Sequence, residues 1–216
     1  MGKVIAIDGP SGAGKSTIAK MLAERLGFTY LDTGALYRGV ALLFLERGIT
    51  PEDDDRALEV TLSHTEIRFE QGKVILDGRD VSSEIRTPEV GHYSSVFSAR
   101  RVVRDFLLDV QREASFAHNL VAEGRDTATV VFPDAYRKFY MDASMEERVG
   151  RRHRQLGEMG IRATRAEAEK DVRERDERDQ GRDIAPLTKA KDAIMIETTG
   201  KNIEQILDLL LEAVRV

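Results

Sequence analysis

Short apolar runs alternate with stretches of helical periodicity along most of this chain. The first run, at 4–7, is continuous and typical of a buried parallel strand. A glycine-rich segment follows, and apolar residues then recur at helical spacing at Ile18, Met21, Leu22 and Leu26. Gly27 is a suitable helix end. The apolar start is too short for a signal peptide, and the first 27 residues therefore predict a strand, a loop and a helix.

The same alternation continues towards the C-terminus. Further strands are predicted at 28–31, 120–122, 138–141 and 193–196. Helices are predicted at 35–47, 99–116 and 202–214, with Ser98 as a cap and another helix beginning at Thr50-Pro51. Repeated strand–helix units favour an α/β fold in which helices cover both faces of a parallel sheet.

The period changes from helical to alternating near residue 66. Ile67 and Phe69 alternate with charged residues, and Val74 and Leu76 follow after the turn at 71–72. This pattern predicts an antiparallel hairpin. An antiparallel element within an α/β chain indicates an insertion.

Residues 146–183 are unusually charged, with eleven basic and eleven acidic side chains. Such a run usually forms a solvated, salt-bridged helical hairpin. Arginine outnumbers lysine here by ten to one, and arginine is suited to bidentate phosphate contacts. Glycines at 150, 157, 160 and 181 are typical of a segment that moves.

Composition narrows the possible functions of the 216-residue chain. The absence of cysteine excludes disulfides, thiolate metal sites and a catalytic thiol, and fits a reducing compartment. A net charge of −5 disfavours a protein held on nucleic acid by bulk charge. No apolar run is long enough to span a membrane. We expect a single cytoplasmic unit that is monomeric and has no nucleic-acid or membrane partner.

The glycine-rich segment Gly9-Pro10-Ser11-Gly12-Ala13-Gly14-Lys15-Ser16 fits the phosphate-loop pattern G-x-x-x-x-G-K-[ST] between a strand and a helix. Its glycines allow backbone N–H groups to surround phosphate oxygens, and the helix N-terminus adds its dipole. Lys15 would contact the β- and γ-phosphates, and the Ser16 hydroxyl would bind Mg²⁺. The predicted ATP-binding residues are Gly9, Pro10, Ser11, Gly12, Ala13, Gly14, Lys15, Ser16 and Thr17.

Other features separate classes of phosphate-loop protein. The chain has no Asn-Lys-x-Asp element for reading guanine, and the run at 130–134 lacks the paired acids of an assembly ATPase. A short phosphate-loop protein with an insertion and an arginine-rich segment is usually a small-molecule kinase, by analogy at the level of the fold.

Polar residues that could hold an acceptor follow the second strand and the strand at 120–122. Ligands of open α/β sheets bind at the carboxyl ends of the strands. Structural explanations are also open: Thr33 could cap a helix from Ala35, Arg38 could lie on the surface, and the charges at 123–126 could form an ion pair. In a helix, four charged residues would share one face, namely Arg175, Arg178, Asp179 and Arg182.

Together with the loop at 8–16, seven further segments make the chain similar to bacterial cytidylate kinases. They are LDTGALYR at 31–38, LDGRDV at 76–81 with IRTPEV at 85–90, EGRD at 123–126 with VVFPDA at 130–135, RDERD at 175–179 and APL at 185–187. The matches extend in order over about residues 4–199. The loop alone is shared by many families, whereas the set is nearly diagnostic.

The resemblance implies a kinase core with a five-stranded parallel sheet flanked by helices, an acceptor-binding insert of antiparallel strands and helix at about 57–97, and a helical lid at about 148–164. It implies transfer of the ATP γ-phosphoryl group to CMP or dCMP with Mg²⁺. The CMP-binding positions it implies are Thr33, Arg38, Ser95, Arg104, Arg125, Asp126, Asp179 and Arg182. The catalytic positions it implies are Lys15, Arg125, Arg151 and Arg152.

Two positions depart from the family pattern. Thr33 stands where serine is frequent, but it keeps the hydroxyl. Ser16 stands where many members have glycine, and it supplies the hydroxyl for Mg²⁺. Alternatives are a kinase acting on UMP, AMP or a small polyol, or a nucleotide-dependent switch or scaffold. A nucleic-acid-binding role ranks third because the chain is acidic.

Overall fold

The computed structural model of the chain describes residues 2–116 and 118–215. Its strands are β1 (Val4–Asp8), β2 (Thr29–Asp32), β3 (Ile67–Glu70), β4 (Lys73–Leu76), β5 (Arg79–Asp80), β6 (Leu120–Gly124), β7 (Arg137–Asp142) and β8 (Ile194–Glu197). Its helices are α1 (Lys15–Leu26), α2 (Thr33–Glu46), α3 (Asp55–Ser63), α4 (Pro88–Phe97), α5 (Arg101–Glu113), α6 (Met145–Glu158), α7 (Arg165–Gly181) and α8 (Ile203–Arg215). A 3-10 turn spans Glu84–Arg86, and a π-helical turn spans Thr127–Val131.

Five strands form a parallel sheet in the order β2-β6-β1-β7-β8, which confirms the predicted fold class. Strand β1 lies in the centre, and Ile5 and Ile7 are fully buried. The register pairs Ile7 with Glu123 of β6 and with Phe139 of β7. The carboxyl ends of all five strands therefore meet along one edge of the sheet.

Hydrophobic residues cover the two faces of this sheet separately. Along β6, Leu120 and Ala122 pack into one cluster with α2 and α5, whereas Val121 packs into another with α1 and α8. Side chains alternate between faces along a strand, so the two clusters lie on opposite sides of the sheet. The result is the layered arrangement that strand–helix alternation predicts.

A second sheet contains the predicted hairpin. Strands β3 and β4 pair antiparallel with Ile67 opposite Leu76, and β5 adds a third strand that was not predicted. Gln71 and Gly72 both have positive φ, of 51° and 81°, which is the backbone that two-residue hairpin turns favour. The hairpin packs closely on α2, because a Cβ at Gly39 would lie 2.6 Å from Ile67 Cδ1.

The charged segment forms the predicted helical hairpin from α6 and α7. Its own small core contains Val149, Leu156, Ala168 and Val172. Thr164 and Glu167 form a capping box at the start of α7. Surface charges pair along the helix, as between Arg173 and Glu169 at 2.8 Å. In residues 2–116 and 118–215, no helix has the length and apolar character needed to cross a bilayer.

Three predicted helix starts were wrong. The Asp32 carboxylate, and not Thr33, caps α2 by accepting a bond from Ala35 N at 2.9 Å. Ser98 ends α4, a helix that was not predicted, and α5 begins after Arg100 without a side-chain cap. Helix α3 begins at Asp55 because the Thr50 amide and hydroxyl bind Asp53 in a separate turn. At α2 and α3 an aspartate carboxylate therefore takes the place of the expected hydroxyl cap, whereas no side chain of the described residues caps α5.

We expect Phe97→Ala to lower the free energy of unfolding by about 3–5 kcal/mol, the usual cost of emptying a buried aromatic site. Phe97 of α4 is fully buried, and its ring lies 4.8 Å from that of Phe44 on α2. Urea denaturation measures the change. Val60→Ala is the control, because Val60 is 56% exposed and should change the free energy little. A loss below about 1 kcal/mol at Phe97 would show that α4 does not stabilise this core.

Candidate active site

The phosphate loop connects the end of β1 to the start of α1. Gly9 has φ 151°, and a Cβ there would lie only 2.0 Å from Met141 O of β7. Gly14 precedes the helix with φ 93°. Both positions therefore require glycine. The loop places Lys15 at the first helical position, where helix N–H groups and the dipole favour an anion.

Lys15 is buried within the loop that it serves. Its Nζ donates to Pro10 O at 2.8 Å. Burial lowers the pKa of this ammonium, and the positive charge of Arg125 lowers it further, while Glu123 acts in the opposite direction. An anionic phosphate would stabilise the charged form, so the lysine gains an interaction when a ligand arrives.

A cleft of about 930 Å³ opens beside this loop at the carboxyl edge of the sheet. Its walls come from the loop, α2, α4, the segment after β6, α6, α7 and the segment before α8. Ten basic side chains line it, namely Lys15, Arg38, Arg86, Arg125, Arg151, Arg152, Arg154, Arg175, Arg182 and Lys201. Six acidic ones do so, namely Asp32, Glu123, Asp126, Glu158, Asp179 and Glu204. The cleft is thus positive although the chain carries a net charge of −5.

The segment after β6 forms the floor of the cleft. Thr33 Oγ1 donates to Glu123 O at 2.7 Å and holds β6 against the start of α2. A Cβ at Gly124 would approach Thr33 Oγ1 to 2.5 Å, so the backbone can come this close only with glycine. Tyr30 donates to Glu123 Oε1 at 3.0 Å. These contacts direct Arg125 and Asp126 into the cleft.

Arg125 is paired with Asp179 of α7, and its Nε donates to Asp179 Oδ2 at 2.7 Å. Burial disfavours the charge of Arg125, but Asp179, with smaller contributions from Glu123 and Asp176, acts against burial, and the pKa of the guanidinium is raised. Burial likewise opposes the charge of Asp179, whose pKa is nevertheless lowered by Arg125, Arg175 and Arg182. One carboxylate therefore serves three arginines, which leaves positive charge for a ligand.

Arg104 acts on the cleft indirectly, by binding Asp126. Its guanidinium bonds to the Asp126 carboxylate and donates to Ser98 O at 3.1 Å, and it lies 5.6 Å from the Tyr37 ring centre. Burial raises the pKa of Asp126, and Arg104 acts against that rise. Arg104 itself does not line the cleft. It orients Asp126 from behind.

Several buried donors in this part of the cleft have no hydrogen-bond partner within the described chain. They are Ser95 Oγ, Arg175 Nε, and Nε and Nη2 of Arg182. Burial lowers the pKa of Arg175 to about 9, with Arg125 acting in the same direction, and burial also lowers the pKa of Arg182. Buried donors are normally satisfied, so these atoms indicate the position of a polar, anionic ligand.

Arg38 of α2 lines the cleft and contacts the 3-10 turn and α4 of the insertion. Its Nη1 donates to Ile85 O at 3.1 Å, and Gly91 of α4 lies against the guanidinium. Burial lowers the pKa of Arg38, whereas Asp32 acts to raise it. Arg86 extends from the same turn to within 3.5 Å of Asp32. Arg38 is therefore fixed between the main sheet and the insertion.

The structure brings most of the predicted site residues to one cleft. Those lining it are Ser11 to Thr17, Thr33, Arg38, Ser95, Arg125, Asp126, Arg151, Arg152, Asp179 and Arg182. Gly9 and Pro10 form the base of the loop, and Arg104 acts behind Asp126. Arg151 lies on α6, where its Nη1 donates to Ala13 O and Thr198 Oγ1, each at 3.1 Å. Arg152 pairs with Asp171 of α7 at 2.6 Å.

The expected four-residue face on α7 is wrong at one position. Arg175, Asp179 and Arg182 line the cleft, whereas Arg178 contacts His92 of α4 at 3.4 Å. Arg178 follows Arg175 by three residues, which is less than a full helical turn. Its side chain is therefore rotated towards the neighbouring helix α4. Helix α7 ends at Gly181, and Arg182 follows in an extended conformation.

Eight charged residues of the cleft were not among the predicted binding or catalytic residues, although Arg175 was placed on the predicted charged face at 175–182. They are Asp32, Arg86, Glu123, Arg154, Glu158, Arg175, Lys201 and Glu204. Two of them were detectable, because Asp32 and Glu123 stand near the carboxyl ends of β2 and β6. Arg175 stands four residues before Asp179 on a helix. Arg86 had no comparable signal, since only the folded insertion brings it near Asp32.

Asp8, the last residue of β1, links the phosphate loop to the segment after β6. Its carboxylate accepts from Thr127 N at 2.9 Å and Ala128 N at 2.7 Å. Burial raises the pKa of this carboxyl to about 6, while the two backbone bonds act to lower it. Asp8 therefore orients the π-helical turn that follows Arg125 and Asp126.

Comparison with known proteins agrees with this geometry. The family description of cytidylate kinase matches residues 5–216. The chain belongs to the cytidylate kinase family. The cytidylate kinase of Thermodesulfovibrio yellowstonii is 47% identical over 218 residues, covering 99% of this chain and 98% of that protein. The cytidylate kinase of Thermotoga sp. (strain RQ2) is 43% identical over 215 residues, covering 100% of this chain and 98% of that protein.

Solved structures support the fold alone. A shikimate kinase from Bacteroides thetaiotaomicron matches with a TM-score of 0.51 at 14% identity, covering 99% of both chains. An uncharacterised protein from Eubacterium ventriosum matches with a TM-score of 0.57 at 13% identity, covering 99% of this chain and 98% of that one. The architecture is therefore shared with a kinase of a different acceptor, and membership of the cytidylate kinase family rests on the sequence.

We expect the Asp8 carboxyl to make stability fall as pH rises through the acid range. Its pKa is about 6 in the folded chain against 3.8 for an ordinary aspartate, so the folded state retains the proton more tightly. Between pH 4 and pH 7, the wild-type protein should lose about 2–3 kcal/mol more free energy of unfolding than Asp8→Asn. Urea denaturation at several pH values measures both profiles. Parallel profiles would contradict the raised pKa.

Proposed function

We propose that this cleft is the centre in which the chain performs the reaction of its family, with ATP on the phosphate loop and CMP or dCMP between α4, α7 and the segment after β6. A cytidylate kinase transfers the γ-phosphoryl group of ATP to CMP or dCMP and releases ADP with CDP or dCDP. The observation that carries the proposal is the group of buried donors on Ser95, Arg175 and Arg182 beside a phosphate loop, which have no partner among the described residues.

The donor half of the proposed site is the loop of residues 9–17. Backbone N–H groups at the start of α1 would bind the ATP phosphates together with Lys15. The lowered pKa of Lys15 supports this role, because phosphate oxygens would provide a favourable environment for its charge. Arg152 would reach the phosphates from α6, and Arg151 would do so after leaving its contacts with the loop carbonyls.

The acceptor half is built around charges that are only partly balanced. Arg38, Arg125 and Arg182 would hold the acceptor phosphate. Ser95 and Asp126 would bind the cytosine edge, with Arg104 keeping Asp126 charged and oriented. Thr33 and Asp179 would contact the nucleotide from the floor and from α7.

The chemistry needs positioning and charge neutralisation. The CMP phosphate is already anionic, so no general base has to create a nucleophile. Lys15 and the arginines would let two negatively charged groups approach each other, and they are preorganised by buried partners such as Asp179. Movement of the proposed lid at about 148–164, in α6 and the turn after it, over the phosphates would exclude water and suppress hydrolysis of ATP.

The residues beside the loop also fit Mg²⁺. Burial raises the pKa of Glu123 and the nearby Asp32 raises it further, while Lys15 and a hydrogen bond from Ser16 act to lower it. Two neighbouring carboxylates beside a hydroxyl suit an ion that keeps several waters and few protein ligands. Ser16, Asp32 and Glu123 would hold it. When bound, Mg²⁺ neutralises phosphate charge.

We expect Arg125→Ala and Arg38→Ala each to lower kcat about a hundredfold or more, the usual loss when a preorganised donor is removed from a transition state. Arg173→Ala is a matched control, because Arg173 is exposed on α7 and pairs with Glu169. Steady-state kinetics gives the rates, and circular dichroism checks folding. A folded Arg125→Ala protein with near-normal turnover would refute its proposed role.

The function itself is tested by coupled ADP release from ATP and Mg²⁺ with different acceptors. CMP and dCMP should stimulate release strongly. UMP and AMP should give much lower rates, because they leave buried polar groups such as Asp126 unmatched. Equal rates with UMP would indicate a broader pyrimidine kinase. A basal rate that no acceptor changes would overturn the proposal and favour a nucleotide-dependent switch.

A further inference from the structure

The phosphate loop is held at Ser11 by a buried ion pair that lies outside the cleft. Ser11 N donates to Asp176 Oδ1 of α7 at 3.0 Å, and Arg148 Nη1 of α6 donates to Ser11 O at 3.1 Å. Arg148 and Asp176 also bond to each other. Both backbone groups of one loop residue are therefore fixed by one charged pair, called here the Ser11 clamp.

The Ser11 clamp is well satisfied and closely packed. Arg148 and Asp176 are each 7% exposed, and Arg148 Nε also donates to Ala143 O at 3.2 Å. Neither side chain lines the cleft. A Cβ at Gly12 would lie 2.9 Å from Arg148 O, so the loop rests directly on α6. The pair is thus built to hold the loop and has no direct access to a nucleotide.

The clamp also joins the two halves of the site. Asp176 follows Arg175 in α7, and one helical turn further on Asp179 binds Arg125. A shift of α7 relative to the loop would break the contacts at Ser11. The position of the donor loop is therefore linked to the helix that carries the acceptor-facing charges.

We propose that Arg148 and Asp176 are positioning residues for phosphoryl transfer, which act through the backbone of Ser11 to hold the loop N–H groups towards the ATP phosphates. This inference rests on the proposed role of the loop in binding ATP. Buried ion pairs contribute little net stability, but loss of one partner leaves an uncompensated charge. Removal of Arg148 and removal of Asp176 should therefore change KM for ATP by different amounts.

Arg148→Met leaves the Asp176 carboxylate unpaired next to a loop that receives anionic phosphates. We expect this variant to raise KM for ATP about tenfold or more and to lower kcat, with KM for CMP changed far less. Asp176→Asn should have a smaller effect, because an amide oxygen can still accept from Ser11 N. In the double variant Arg148→Met/Asp176→Asn the unpaired carboxylate is gone, and KM for ATP should recover part of the loss.

The experiment combines steady-state kinetics with calorimetric titration of ATP, and thermal unfolding monitors stability. Asp192→Asn is the control, since it removes a carboxylate from the Lys138–Asp192 ion pair, which lies at the amino-end edge of the same sheet. If Arg148→Met does not fold, Arg148→Lys serves instead. It keeps the charge but lacks the planar fork that reaches Ser11 and Asp176 together, so it should also weaken ATP binding.

Two results would overturn the positioning role. One is ATP binding and KM within twofold of the Asp192→Asn control, even where Tm falls, because the pair would then only stabilise the fold. The other is a double variant whose KM for ATP is raised by as much as the two single changes combined. Calorimetry separates this inference from the proposed function. A wild type that binds ATP but does not phosphorylate CMP would refute the function, while the ATP titrations would still decide the role of the clamp.

Discussion

The cleft buries more positive charge than its carboxylates can balance. The rest of the structure depends on this constraint. Arg125, Arg175 and Arg182 all interact with one carboxylate, that of Asp179. Burial lowers the pKa of Arg175 and Arg182, and some of their donors have no partner among residues 2–116 and 118–215. The cleft therefore holds positive charge at a cost, which phosphate oxygens would offset. Binding of anions follows from this imbalance.

The fold makes this arrangement possible by separating stability from function. Two hydrophobic clusters cover opposite faces of the parallel sheet and leave its carboxyl edge free for polar residues. Asp8, Asp32 and Glu123 stand at that edge. The insertion contributes Arg86 and Ser95, α2 and the segment after β6 contribute Arg38 and Arg125, and the α6–α7 hairpin with the residue that follows it contributes the other arginines. The charged insertion and hairpin are thus placed around a rigid sheet.

Local patterns were enough to predict the sheet, the hairpin and the phosphate loop. Apolar runs and periodicity depend on neighbours in sequence, and the glycines at 9 and 14 are required by backbone geometry. Helix caps were predicted less well, because Asp32 and not Thr33 caps α2. No side chain of the described residues caps α5. The π-helical turn was missed because it depends on Asp8, which lies more than a hundred residues away in sequence.

The site was predicted where its residues follow strands, and less completely where it depends on tertiary contacts. Glu123 and Arg175 were visible in the sequence, but their partners were not. The same limit applies to Arg151, which contacts loop carbonyls in this structure and would have to move to serve the phosphates. The Ser11 clamp joins residues 137 and 165 positions apart, and no local pattern marks it.

The central claim is that uncompensated positive charge in the cleft selects an anionic acceptor. Calorimetric titration with CMP and with uncharged cytidine tests it most directly, because the two ligands share the base and sugar. CMP should bind about a hundredfold or more tightly than cytidine, as expected when charged hydrogen bonds to two arginines are lost. The difference should shrink in Arg125→Ala. Similar affinities for cytidine and CMP in the wild-type protein would contradict the claim.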